Sequence, residues 1–216
     1  RPPANMRRLL VEDFLAQQIV LRAAKLLDKG DREALEIKVA PGGADAILKH
    51  LGPAAMVSGD NVFLLLDGDK KKVSKLTDPN EIPPSDYSCL TDLLKKQIGV
   101  DPQFHIPGGD DQAAHEEAKV LAQLEYLRWL STHLEYLPKK MPEQIVLDQF
   151  AISSYDNESR PHEIKTAFRE LLADGAELDL SSAELDALAR VKVDKIPLDN
   201  ADLAKIYDSL IKWLHG

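Results

Sequence analysis

The chain is short of cysteine, of positive charge and of long apolar runs. Cys89 is the only cysteine in 216 residues, which excludes an intrachain disulfide and argues against a cysteine-built zinc site. Lys and Arg number 27 against 36 Asp and Glu, a net charge of −9. A nucleic-acid binder ordinarily shows a basic face. Nucleic acid therefore remains a partner only if the charge is unevenly spread, or if acid clusters hold divalent cations that restore the balance locally. No stretch approaches the roughly 20 apolar residues that span a bilayer, and no signal-peptide pattern is present. A phosphate-binding G-x-x-x-x-G-K-[ST] loop is missing. Ser153 and Ser154 lack the G-x-S-x-G elbow of serine hydrolases. The first residue is Arg1 rather than a methionine, so the expectation is a piece of a longer protein.

What is there reads as an α/β chain. MRRLLV at Met6–Val11 suits a buried strand, followed by Glu12 and by Asp13 as a helix cap. Phe14–Leu27 carries helical spacing that ends at Asp28-Lys29-Gly30. Leu35–Ala40 is a second strand, Pro41-Gly42-Gly43 a turn, and Ala44–Leu51 a helix stopped by Gly52-Pro53. NVFLLL at Asn61–Leu66 is a third strand, ending at Asp67-Gly68-Asp69. Runs this continuous predict a parallel sheet with helices on both faces.

Beyond a proline-rich loop at Asp78–Asp86, the pattern predicts a helix over Cys89–Gly99 and a fourth strand at Gln103–Ile106. Helices follow over Ala113–Leu137, Pro142–Phe150, Pro161–Ala173, Ser182–Arg190 and Asp199–Leu214. The expected division is an α/β core over residues 1–110 and a mainly helical region over 111–216 that completes the site.

Ligands of parallel sheets bind at the carboxyl ends of the strands. Glu12 and the Asp67/Asp69 pair each follow a predicted strand, so the sheet should bring them to one rim. Two carboxylates one residue apart suit Mg²⁺, which takes oxygen ligands and keeps several waters. Mn²⁺ or Ca²⁺ could occupy the same acids. The glycine between the aspartates is expected to permit a tight turn. A solvated strand-end turn uses the same residue types, so convergence with Glu12 is what favours a metal. Lys70, Lys71, Lys72 and Lys75 follow at once and suit contacts to a phosphate backbone, or a solvated charged loop. His105 and His115 flank Pro107–Asp111 without the spacing of a zinc site. Tyr126, Trp129 and Tyr136 read as packing on a long helix rather than as a base-stacking platform, and Trp213 as the anchor of the last helix.

The segments LLVED at Leu9–Asp13 and LLLDGD at Leu64–Asp69 resemble a topoisomerase–primase (TOPRIM) domain. The pattern is closest to the C-terminal nuclease region of the OLD (overcoming lysogenization defect) family, in its Gabija-like class. YLPKKMPEQIVLD at Tyr136–Asp148 resembles the helical part of such nucleases. The resemblance implies a TOPRIM-like sheet with a helical insertion or extension, and a divalent-metal-dependent DNA endonuclease of phage defence. It implies a cytoplasmic protein, bacterial or phage-encoded.

On the same resemblance Glu12, Asp67 and Asp69 match the metal-site acids, and Glu12 is also catalytic. Two Mg²⁺ or Mn²⁺ ions are expected, with Asp13 or Asp148 completing the second site. Some relatives carry a further acid one turn after the glutamate, where this chain has Ala16. Lys195, or Lys192, is the expected charge-stabilising lysine. The implied partners are DNA, an N-terminal ABC-type ATPase of the same full-length chain, a second copy of the chain and a helicase.

Two other readings use the same residues. Asp-Gly-Asp after a strand is also found in Mg²⁺-dependent phosphatases and phosphotransferases of the haloacid-dehalogenase type. There it follows the first strand, whereas here Glu12 holds that place. A non-enzymatic interaction module, self-associating through the long helix at Ala113–Leu137, is the third.

Overall fold

A computed structural model describes residues 6–59, 61–106, 112–152, 155, 159–174 and 180–216. Its centre is a four-stranded sheet in the order β2-β1-β3-β4, with every neighbouring pair parallel. The strands are β1 (Arg7–Val11), β2 (Leu35–Val39), β3 (Val62–Leu66) and β4 (Leu134–Tyr136). This is the parallel α/β arrangement the apolar runs predict, and it is consistent with the TOPRIM-like sheet that the resemblance implies.

Alternation along the strands divides the core in two. Leu9, Val11, Phe63 and Leu65 face one way, and Leu10, Val62, Leu64 and Leu66 the other. All five residues of β3 are at most 3% exposed, and each such side chain contributes about 1.5–3 kcal/mol of burial.

The first face is covered by α1 (Phe14–Ala23), α7 (Pro142–Gln149), α8 (Pro161–Ala173), α9 (Ser182–Asp194) and α10 (Ala201–His215). Trp213 stacks on Phe63 with ring centroids 5.0 Å apart, which ties α10 to the sheet as anticipated. The second face is covered by α4 (Gly52–Ser58), α5 (Leu90–Ile98) and α6 (Gln112–His133). Helices lie on both faces, as the two-sided strands require. No helix among the described residues is long and apolar enough to cross a membrane.

The structure departs from the sequence reading at four places. The fourth strand is not Gln103–Ile106. That stretch is irregular, with the Gln103 N–H donating to the Lys49 carbonyl. The strand is instead Leu134–Tyr136, taken from the end of the expected long helix. Pro138 forces Leu137 towards an extended conformation, and the free edge of β3 accepts the segment. The β3–β4 pairing also means that the sheet is not complete within residues 1–110.

The second departure is at Asp28, which begins a helix rather than ending one. It caps α2 (Lys29–Ala34) by accepting the Asp31 N–H at 2.9 Å. The third is at Gly52-Pro53, which does not stop the helix. A short α3 (Gly43–Ala46) widens into a π-turn over Ile47–Leu51 and continues as α4. In the wider register Gly52 N–H bonds the Ile47 carbonyl, and Pro53, lacking an N–H, leaves the Leu48 carbonyl open. The buried Tyr126 hydroxyl donates to that carbonyl at 2.8 Å. The fourth concerns Gly68, described below. The expected loop at Pro107–Asp111, and Ser153 and Ser154, lie outside the described residues.

Candidate metal centre

The chain runs from β1 outward to β2, then returns to the other side of β1 to form β3. The order therefore reverses between β1 and β3, and open parallel sheets place their crevice at such a reversal. Leu10 pairs with Leu64, so Glu12 lies level with Leu66 and Asp67 one residue beyond. The two acids are in direct contact: Glu12 Oε1 accepts the Asp67 N–H at 2.8 Å. The convergence expected of Glu12 and the Asp67–Asp69 turn is what the fold produces.

Two loops complete the rim. Gly42 and Gly43 take φ of 87° and 64°, a region that favours glycine. Their turn delivers the Ala44 N–H to Glu12 and leaves Gly43 beside its carboxylate. Opposite, the strap 137–140 lies against the aspartates. Gly68 N–H donates to the Lys139 carbonyl at 3.1 Å, and Asp69 N–H to the Lys140 carbonyl at 3.0 Å. A Cβ on Gly68 would sit 2.3 Å from that Lys139 oxygen. The expected tight turn is present at Gly68–Lys70, but Gly68 has no positive φ there, and what requires the glycine is the close approach of two backbones.

The electrostatics are those of uncompensated negative charge. Burial raises the Asp67 carboxyl to about 8, reinforced by the charges of Glu12, Asp13, Asp69 and Glu143. Burial also raises Glu12, against the Asp67 N–H and Lys70, which act the other way. Glu143 is raised by burial, with Asp13 and Asp69 adding to it and Lys165 opposing. Asp67 Oδ1 and Glu143 Oε2 are buried with no hydrogen-bond partner. Buried oxygens of this kind are costly unless something satisfies them. The cation at the rim is Lys70, whose Nζ lies 3.1 Å from Asp69. Partial burial works against its charge, but Asp69, Glu12 and Asp67 outweigh that and hold it protonated.

Glu143 is the residue the sequence reading missed. It sits in the first turn of α7, only 8% exposed, and borders a cleft of about 230 Å³ with Phe14, Lys165 and Arg169. The available signal was an acid directly after Pro142 at the head of a helix whose middle is the apolar Ile145-Val146-Leu147. Among the described residues no three His, Cys, Asp or Glu side chains close together into a ready-made ligand set. The donor set is instead one of hard carboxylate oxygens around a crevice. That suits an ion held by one or two carboxylates and otherwise by water.

The remaining expected site residues have other engagements. Asp13 caps α1, its Oδ1 accepting the Ala16 N–H at 2.8 Å, and reaches the acids only through its field. Ala16 is fully buried in the core. Asp148 pairs with Lys139 at 2.7 Å and accepts the Tyr155 hydroxyl. Its place is beside Lys139, Tyr155 and Asp202. Lys195 is exposed at the end of α9, and Lys192 lies over the Phe150 ring at 5.3 Å.

The lysine run after the aspartates divides. Lys70 turns to Asp69, Lys71 lies over Tyr136 and Lys72 packs beside Gly99. Tyr126 and Trp129 are stacked core residues, as anticipated. No protein-family model, curated protein or solved structure matches the chain.

Proposed function

We propose that this chain is a divalent-metal-dependent endodeoxyribonuclease domain, the nuclease region of a larger ATPase–nuclease of the OLD type. The observation that carries the reading is the orphaned Asp67 Oδ1 at the β1/β3 crevice, which lies in the field of the Glu12, Asp69 and Glu143 carboxylates. The carboxylates outnumber the cations that act on them, Lys70 and Lys165, a deficit that a divalent cation would fill. Asp67 with Glu12 or Asp69 would hold one Mg²⁺ or Mn²⁺, and Glu143 with Asp67 or Asp69 a second. Such ions supply an activated water and a stabilised leaving oxygen.

The chain's own groups perform the rest. Glu12 is fixed by the Asp67 and Ala44 N–H groups, and its raised carboxyl is suited to accept a proton from a water at the rim. Lys70, kept charged by the acids, is placed to bind a phosphate oxygen. It takes the part that the sequence reading gave to Lys195. Lys165 and Arg169 offer further positive charge on the Glu143 side.

The test is nicking of supercoiled plasmid in Mg²⁺ or Mn²⁺, with EDTA and the Asp67→Ala/Asp69→Ala protein as controls. The expected result is metal-dependent nicking that the double variant loses by at least about 100-fold. Equal activity in both proteins, or turnover of small phosphate monoesters with plasmid untouched, sinks the assignment.

A further inference from the structure

A second feature lies one strand away from the acids. Tyr136 ends β4 and pairs with Leu66, the residue before Asp67. Beside it opens a groove of about 280 Å³ whose lining includes three lysines, Lys71, Lys75 and Lys212, against one acid, Glu135, with Leu130 and Leu134 among its apolar residues. Lys71 Nζ stands 6.0 Å from the centre of the Tyr136 ring. Lys212 reaches in from α10 and holds Glu135 at 3.1 Å. Among the described residues neither Lys71 nor Lys75 has an ion-pair partner. On a chain of net charge −9, this is a local positive site with an aromatic wall.

We propose that this groove binds single-stranded DNA, with backbone phosphates on Lys71, Lys75 and Lys212 and a sugar or base against Tyr136. Its role as the channel leading a strand to the acid rim rests on the nuclease reading, but its binding does not. Charge complementarity favours a polyanion, and the aromatic wall selects the strand form. An unpaired base offers a face for stacking, while a duplex keeps its bases stacked on one another. The groove is also small, suited to one backbone rather than two. Lys71 would exchange the ring for a phosphate on binding. The segment from Lys70 to Lys75 would then link the two sites, one end at Asp69 and the other in the groove.

The experiment is fluorescence anisotropy of a labelled oligo(dT) in EDTA, so that no metal contributes, repeated over a range of salt. The wild-type protein should bind with a salt slope of about −0.7 per phosphate neutralised. Lys71→Ala/Lys75→Ala, which alters exposed side chains, should weaken binding about 10-fold or more and reduce the slope by about 1.4. Tyr136→Leu, which keeps the apolar packing, should cost about 10-fold with little change in slope. Unaltered affinity in the lysine variant, or equal affinity for a duplex of the same length, overturns the proposal. Asp67→Asn/Asp69→Asn should retain the binding. Absence of plasmid nicking by the wild-type protein, with the lysine effect on binding intact, would remove the nuclease reading and leave the groove standing.

Discussion

Asp67 is where the chain's negative charge has its largest consequence. Its carboxyl is raised from 3.8 to about 8 by burial and neighbouring acids. The folded protein therefore keeps a proton that the unfolded chain releases across that interval. Stability from this group is complete below about pH 4 and is lost as pH rises towards 8. Glu12 and Glu143 are shifted in the same direction. In metal-free buffer, Asp67→Asn should stabilise the protein at pH 8 by on the order of 1–3 kcal/mol, a Tm increase of several degrees, with little effect near pH 4. Thermal melts across pH check this, and a flat difference would refute it. Saturating Mg²⁺ or Mn²⁺ should raise the wild-type Tm at pH 8 by about 5–10 °C. The asparagine variant should lose most of that rise.

Gly68 is legible in sequence only as a glycine between two aspartates. Its requirement comes from the Lys139 carbonyl, seventy-one positions further along the chain. Gly68→Ala should destabilise by about 2 kcal/mol or more through overpacking. It should also weaken metal binding by moving the turn, both readable from melts with and without metal. Glu12, Asp67 and Asp69 were readable because each follows an apolar run whose end the sheet aligns. Glu143 was not, because its role depends on how α7 docks.

At the scale of elements, the π-turn, Pro53 and Tyr126 form one unit. Tyr126→Phe should cost about 1–3 kcal/mol by leaving the Leu48 carbonyl buried and unpaired. Gly52→Ala should cost a similar amount, since its Cβ would stand 2.4 Å from the Tyr126 hydroxyl oxygen. Removing that oxygen relieves part of the clash. The double variant should therefore be more stable than the sum of the single losses predicts by about 1 kcal/mol, a coupling that denaturant melts resolve. Nothing local announced this arrangement: Gly-Pro is read as a helix stop, and the hydroxyl that rescues it comes from another helix. β4 was hidden for the converse reason. Leu134–Tyr136 continues the apolar rhythm of α6, and only Pro138 argues against helix there.

For the molecule as a whole, β1 and β3 follow from their apolar runs and β2 from the alternation of Leu35, Ile37 and Val39 with charged residues, whereas the closing strand and the cover of one face come from the second half. The fragment 1–110 would leave the β3 edge unpaired and Leu9, Val11, Phe63 and Leu65 without α7–α10 above them. It should show no cooperative unfolding transition, while the full chain melts in one. A sharp, reversible melt of the fragment would contradict the shared core.

The pairing of β3 with β4 also bears on how the protein is made. Leu64 must wait for Leu134, a separation of 70 residues by subtraction. At roughly 5–20 residues per second, a ribosome needs about 4–14 s to supply the missing strand. Throughout that interval the nascent chain carries an apolar strand with a free edge, the kind of surface that recruits holdase chaperones or neighbouring nascent chains.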